Sequence, residues 1–165
     1  MGAPKKQTRK YETPKKPYDR VRLDRERKIR QDFGLRRKKE IWKAEALLRN
    51  FRQRARELQA RRDEEKEKML FGKVNKMGIK CSRLEDILEI GLEDILARRL
   101  QTLIHKKGIA TTPMQARQFI VHGHVFVAGR KVLWPSYIVE PAEEDTIILE
   151  PRMATAIVKQ ESGKK

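Results

Sequence analysis

Between residues 96 and 139 (LARRLQTLIHKKGIATTPMQARQFIVHGHVFVAGRKVLWPSYIV) the chain sets out two short amphipathic helix patterns, a turn between them, and then a hairpin signal. No other stretch constrains the fold as tightly. Ile95, Leu96, Leu100, Leu103 and Ile104 recur at helical spacing, which predicts a helix from Leu92 or Glu93 to Lys107. Gly108 stops it, and Lys106 and Lys107 fall in a last turn where cations suit the helix dipole. Thr112 is placed to cap the next helix, Pro113 fits its first position, and Gln115 completes a capping-box spacing. Met114, Ala116, Phe119 and Ile120 supply its packing residues, and Gly123 ends it. A hairpin is expected over His124–Val127 and Lys131–Leu133, with Gly129 in the turn, followed by strands at Tyr137–Val139 and Thr146–Leu149. The expected fold class is α+β. A helix-turn-helix packs on a short, mostly antiparallel sheet, behind a basic helical region with an extended tail.

The first half of the chain has a different character. The 165 residues carry a net charge of +17, and its distribution is uneven. Residues 1–80 hold 28 basic and 12 acidic side chains, +16, whereas residues 81–165 hold 12 and 11, +1. Such asymmetry sets a half that embraces a polyanion beside a self-sufficient globular half. Residues 1–22 place Pro4, Pro14 and Pro17 among lysines and arginines with almost nothing to bury, and read as an extended basic tail. Residues 23–91 read as a basic helical region. LDRERKIRQDF (23–33) predicts a helix ending at Gly34, and Leu35 to about Lys68 predicts one long helix. Ile41, Ala44, Leu47, Leu48, Phe51, Ala55 and Leu58 form its apolar stripe. Residues 71–83 read as a connecting segment because Gly72 and Gly78 interrupt the pattern, and Arg83–Ile90 predicts a short helix. The second half divides into the unit at 92–151 and a tail at 152–165.

Several kinds of chemistry are excluded by what the chain lacks. A single cysteine, Cys81, can build neither a disulfide framework nor a thiolate metal cluster. The histidines are His105, His122 and His124, and the HGH pair has no thiolate or nearby carboxylate at ligand spacing. No nucleophile elbow, Walker loop or dinucleotide glycine pattern occurs. No cofactor, metal, catalytic residue or small-molecule substrate is therefore expected. There is no apolar signal-peptide core and no run near the ~20 apolar residues of a membrane span, so no membrane partner is expected and the compartment is read as cytoplasmic.

What remains is nucleic acid. With the apolar stripe of residues 95–104 turned inward, Arg98, Gln101, Thr102 and His105 fall on another face, with Arg99 at its border. The following helix offers Gln115, Arg117 and Gln118, and the turns at 108–112 and 122–124 bring backbone amides to the same side. This edge suits a bent phosphate backbone, read through phosphates and 2′-hydroxyls rather than base edges. A DNA-binding helix-turn-helix stays open, although TTPMQA at the start of the second helix offers one good base reader, Gln115.

These residues resemble the alpha-L RNA-binding module of the S-four type. The likeness rests on RRLQT (98–102), GIA (108–110), ARQFI (116–120), HGHVFV (122–127), Gly129 and PSY (135–137). Upstream, YETPKKPYDRVRLDRE (11–26) and FGLRRKKEIWK (33–43) resemble the N-terminal half of the universal small-subunit ribosomal protein family of the S-four type, in its archaeal and eukaryotic form. The short C-terminal tail favours the archaeal form. The resemblance implies a structural protein of the small ribosomal subunit. It would bind a junction in the 5′ domain of small-subunit ribosomal RNA, nucleate assembly, and support accurate decoding near where mRNA enters, beside neighbouring small-subunit proteins. It assigns RNA-facing roles to Arg98, Arg99, Gln101, Thr102, Thr112, Arg117, His122, His124 and Lys131, and to the basic helix start at Arg36, Arg37, Lys38 and Lys39. His105, Lys106, Lys107 and Gln115 complete the expected RNA-binding set. The alternative is a free ribosome-assembly factor or heat-shock ribosome-binding factor. An RNA-modifying enzyme would need a further catalytic domain of about 150 residues.

Overall fold

The computed structural model describes residues 8–150. The expected terminal tails therefore lie partly outside the described residues. Helices α1 (Arg20–Asp32), α2 (Lys38–Ala60), α3 (Glu64–Lys76), α4 (Leu84–Glu89) and α5 (Leu92–Ala97) come first. Then follow α6 (Leu100–Lys106), α7 (Pro113–Val121), strands β1 (Val125–Val127) and β2 (Arg130–Lys131), a 3-10 turn at Pro141–Thr146, and β3 (Ile148–Leu149). The architecture is the expected α+β one, with the helices preceding a small antiparallel sheet ordered β2-β1-β3.

The apolar stripe of α2 organises the first core. Ile41, Ala44, Leu48, Phe51, Ala55 and Leu58 are buried, with Leu47 packed against them half-buried. α3, α4 and α5 cover this stripe, contributing Leu70, Val74, Ile87, Leu92, Ile95 and Leu96. Each such side chain removed from water stabilises the fold by about 1.5–3 kcal/mol.

The expected single helix over 35–68 is two helices. The stripe ends at Leu58, and Leu70 and Val74 can reach α2 only if the chain turns back. The turn is set at Arg61–Asp63, where the Asp63 carboxylate accepts the Lys66 N–H at 3.4 Å and caps α3. The expected connecting segment is correspondingly shorter, because α3 runs through Gly72 to Lys76. A mid-helix glycine costs about 1 kcal/mol, which burial of Leu70 and Val74 outweighs.

The helix expected from about 92 to 107 is also broken. Leu96 belongs to the first core and Leu100 to a second, made of α6, α7 and the sheet. Between them Arg98 and Arg99 leave the helix and bond sideways. Leu100 N–H donates to Tyr137 O at 2.7 Å, Val139 N–H donates to Arg98 O at 3.1 Å, and Arg99 bridges Ile138. The chain at Tyr137–Val139 thus forms one bridge with Arg99 rather than a strand of the sheet. The β1–β2 hairpin turns at Ala128 and Gly129, with φ of 47° and 73°, the two positive values a two-residue I′ loop requires.

Candidate nucleic-acid interface

The two cores meet at Glu40, in the first turn of α2. Its carboxylate accepts the Arg37 N–H at 3.3 Å, receives Arg99 Nη2, and lies 3.5 Å from Arg117 Nη1. Burial pushes this carboxyl up, but the hydrogen bond and charge of Arg99, with Arg117 and the Arg37 N–H, hold it below its ordinary value. Gln101, 1 % exposed, completes the clamp. Its amide donates to Gly34 O and Pro113 O, both at 2.9 Å, while its carbonyl accepts from Arg117 at 3.4 Å. Gly34 sits at φ +59°, and a Cβ there would strike Pro113 and the Gln101 amide. The start of α2 is thereby pressed against the start of α7.

This geometry redistributes the expected RNA-facing residues. Arg99, Gln101 and Thr102 are buried, and Thr102 Oγ1 donates to Leu96 O at 2.9 Å. Arg98 is tied by three bonds, to Met77 O (3.0 Å), Val139 O (3.1 Å) and Glu144 Oε2 (3.0 Å). Arg117 is held at the clamp, His105 Nδ1 lies 3.0 Å from Ala110 O, and Lys107 is tied to Glu144 O and Asp145. Helical spacing placed these residues off the apolar stripe. It could not show that a second layer, at Phe33–Glu40 and Tyr137–Asp145, covers that face.

Of the remaining expected residues, Arg36, Arg37, Lys39, Lys106, Thr112, His122 and Lys131 are exposed, whereas Lys38, Gln115 and His124 are half-buried. Arg36, Arg37 and Lys39 are exposed at the α2 N-terminus, while Lys38 reaches Glu26 at 3.3 Å. Cations there oppose the helix dipole, so they weaken the isolated helix by roughly 0.3–1 kcal/mol each unless an anion approaches. Thr112 is exposed and caps α7 through Gln115 N–H at 3.2 Å, and the Gln115 carbonyl accepts from Thr111 N–H at 2.9 Å. Lys106 is exposed at the end of α6. His122 is exposed, His124 Nδ1 lies 2.7 Å from Glu150 Oε2, and Lys131 packs over Gly123 in the turn between the histidines.

Two features escaped the sequence reading. Glu40 was absorbed into a basic helix start, and only its three-residue spacing from Arg37 hinted at a cap. Trp134, 67 % exposed, follows Leu133, whose side chain lies against Gly123. No periodicity marks it, because it lies in irregular chain between β2 and Pro135. Among the described residues no group of three or more His, Cys, Asp or Glu side chains is arranged to hold a metal, and no helix is long and apolar enough to cross a membrane.

Residues 98–147 match the S4 domain family model, so the match begins at the break between α5 and α6. Similarity to known proteins extends well beyond that domain. The small ribosomal subunit protein uS4 of Methanococcus aeolicus is 46% identical over 94% of this chain and 92% of its own length. The chain belongs to the uS4 family. Its uS4 relatives include those of Methanothermobacter thermautotrophicus, 42% identical over 92% of this chain and 91% of the relative, and Metallosphaera sedula, 47% identical over 92% and 87%. These uS4 matches span both cores and the clamp between them, so the likeness concerns the whole arrangement and not the module alone.

Proposed function

We propose that the protein is a structural constituent of the small ribosomal subunit that binds its ribosomal RNA as a primary binder, at a junction in the 5′ domain. The observation that carries this reading is a relationship to small-subunit uS4 proteins over 94% of the chain. The site geometry supports it. Gly34, just before α2, packs against Pro113 at the start of α7, and Arg36, Arg37, Lys39 and Thr112 around these two helix N-termini are exposed, where the helix dipoles favour an anion. Lys106, His122, His124 and Lys131 mark the ends of α6 and α7 away from that contact, and Trp134 adds a ring on which a base can stack.

Arg36, Arg37, Lys38, Lys39, Lys106, Thr112, His122, His124 and Lys131 are the direct RNA contacts in this reading. Arg98, Arg99, Gln101, Thr102 and Arg117 hold the two gripping surfaces in register. His105, Lys107 and Gln115 stabilise the helix ends beside them. The role is structural rather than catalytic. Early binding nucleates assembly, and a seat near where mRNA enters, beside other small-subunit proteins, links the protein to decoding accuracy. A free assembly or heat-shock factor would need to resemble these relatives only in the module, whereas the match covers the helical core as well.

Cosedimentation tests the assignment. The full chain should remain stoichiometric with small subunits through a moderate-salt wash. Recovery mainly in the ribosome-free fraction of growing cells would refute it.

A further inference from the structure

The arm that precedes α1 is held against the helices at three points. The Tyr11 ring lies on Trp42, with centroids 5.9 Å apart and planes tilted by 37°. The Glu12 carboxylate accepts from Arg49 Nη1 at 2.8 Å, and Arg22 Nη2 donates to Pro17 O at 3.1 Å. Trp42 is itself fixed, because its indole N–H donates to Glu26 Oε1 at 3.0 Å. Glu26, 4 % exposed, also pairs with Arg22 and Lys38. One buried carboxylate thus orients both the ring that receives Tyr11 and the arginine that holds Pro17. Lys10 reaches a cleft of about 490 Å³ between the two cores, lined also by Glu40, Lys43 and Arg117. Arg9, Lys10, Lys15 and Lys16 are exposed, and none of these four has an ion-pair partner among the described residues.

By charge alone a polyanion-binding arm gains nothing from a carboxylate, yet Glu12 is the one acidic side chain among residues 1–18. Its partner is internal. A single exposed ion pair holds a chain weakly, but here it acts beside an aromatic pair and a backbone hydrogen bond on the same short segment. We propose that Tyr11 and Glu12 are positioning residues that pre-set the arm on α2, so that its cations form a third RNA grip, with Lys10 next to the clamp. An arm ordered before RNA arrives loses less conformational entropy on binding, and the difference appears as affinity. RNA is the occupant because Lys10 borders the clamp that joins the two surfaces already assigned to it. The inference rests on the ribosomal-RNA reading above and extends its binding surface to the arm.

Titration of the full chain against a 5′-domain RNA fragment tests this, with melting and trypsin cleavage of the RNA-free protein measured alongside. Tyr11→Ala and Glu12→Gln should each hasten cleavage at the arm lysines and leave the melting temperature unchanged. Each should also weaken RNA binding, about three- to tenfold. Charge alone predicts the opposite sign for Glu12→Gln, which removes a negative charge from an RNA-binding segment. Glu12→Arg should likewise weaken binding, and adding Arg49→Glu should restore it, although that second change lowers the positive charge. Wild-type or tighter binding by Glu12→Gln would overturn the proposal. So would no recovery in the double variant, unchanged cleavage of the arm, or a loss of affinity that tracks a fall in melting temperature. A wild-type chain that binds the fragment no better than an unrelated RNA of equal length is a separate outcome. It removes the ribosomal-RNA reading, and the third grip falls with it.

Discussion

At the scale of single residues, charge type does not predict charge use. Arg98 and Arg99 sit next to each other in a basic motif, yet both are spent on internal acceptors: Glu40, Glu144 and two backbone carbonyls. Arg98→Ala should therefore lower the melting temperature of the free protein. The triple change Arg36→Ala, Arg37→Ala, Lys39→Ala should leave it unchanged or slightly raised while weakening binding to a 5′-domain RNA fragment. Parallel melts and RNA titrations separate the two, and a stable Arg98→Ala variant would contradict the tie. Glu40 carries a pH signature. Its folded carboxyl titrates below the unfolded value, so its contribution is complete above the usual carboxylate range and is lost as pH falls through the lowered value. Glu40→Gln should cost about 1–3 kcal/mol near neutrality, because it leaves Arg99 and Arg117 short of an anionic acceptor. Melts of wild type and variant should converge as the solution is acidified, and a gap independent of pH would refute the pair.

At the scale of elements, the α2 stripe was legible because seven apolar residues at helical spacing have no other stable use than a common buried face. Its cover was not legible. α4 and α5 are short, and their patterns alone do not say which helix they pack on. The packing makes a truncation prediction. A fragment of residues 1–80 lacks Ile87, Leu92, Ile95 and Leu96 and should show weak, non-cooperative melting by circular dichroism. A fragment of residues 1–97 should recover a cooperative transition, and equal behaviour of the two would dismiss the role of α4 and α5. Gly72 offers a converse test. It lies inside α3 at an exposed position where an added Cβ meets nothing within 4 Å. Gly72→Ala should stabilise the protein by roughly 0.5–1 kcal/mol, read as an increase in melting temperature.

At the scale of the whole molecule, the positive charge is concentrated in the half that carries α1 to α3, and the partly screened contacts it makes with RNA should be strongly salt-dependent. If six or more phosphates are neutralised, affinity for small-subunit RNA should fall about 10³-fold between roughly 50 and 200 mM salt. A shallow slope in a filter-binding series would contradict a phosphate-dominated interface. Glu40 and Gln101 fix the start of α2 against the start of α7, which holds the two proposed RNA-binding surfaces in register. The sequence by itself determined the α+β class, the helix cap at Thr112 and a hairpin with Gly129 in its turn, whereas the structure shortens that turn to Ala128–Gly129 and starts the second strand at Arg130. It also determined the polyanion partner, because net charge acts whatever the fold. Only the tertiary structure decided which polar residues face solvent. Gln101 meets Gly34, 67 positions away in the chain, and Arg99 meets Glu40, 59 away, and no local pattern encodes which face a distant segment will cover.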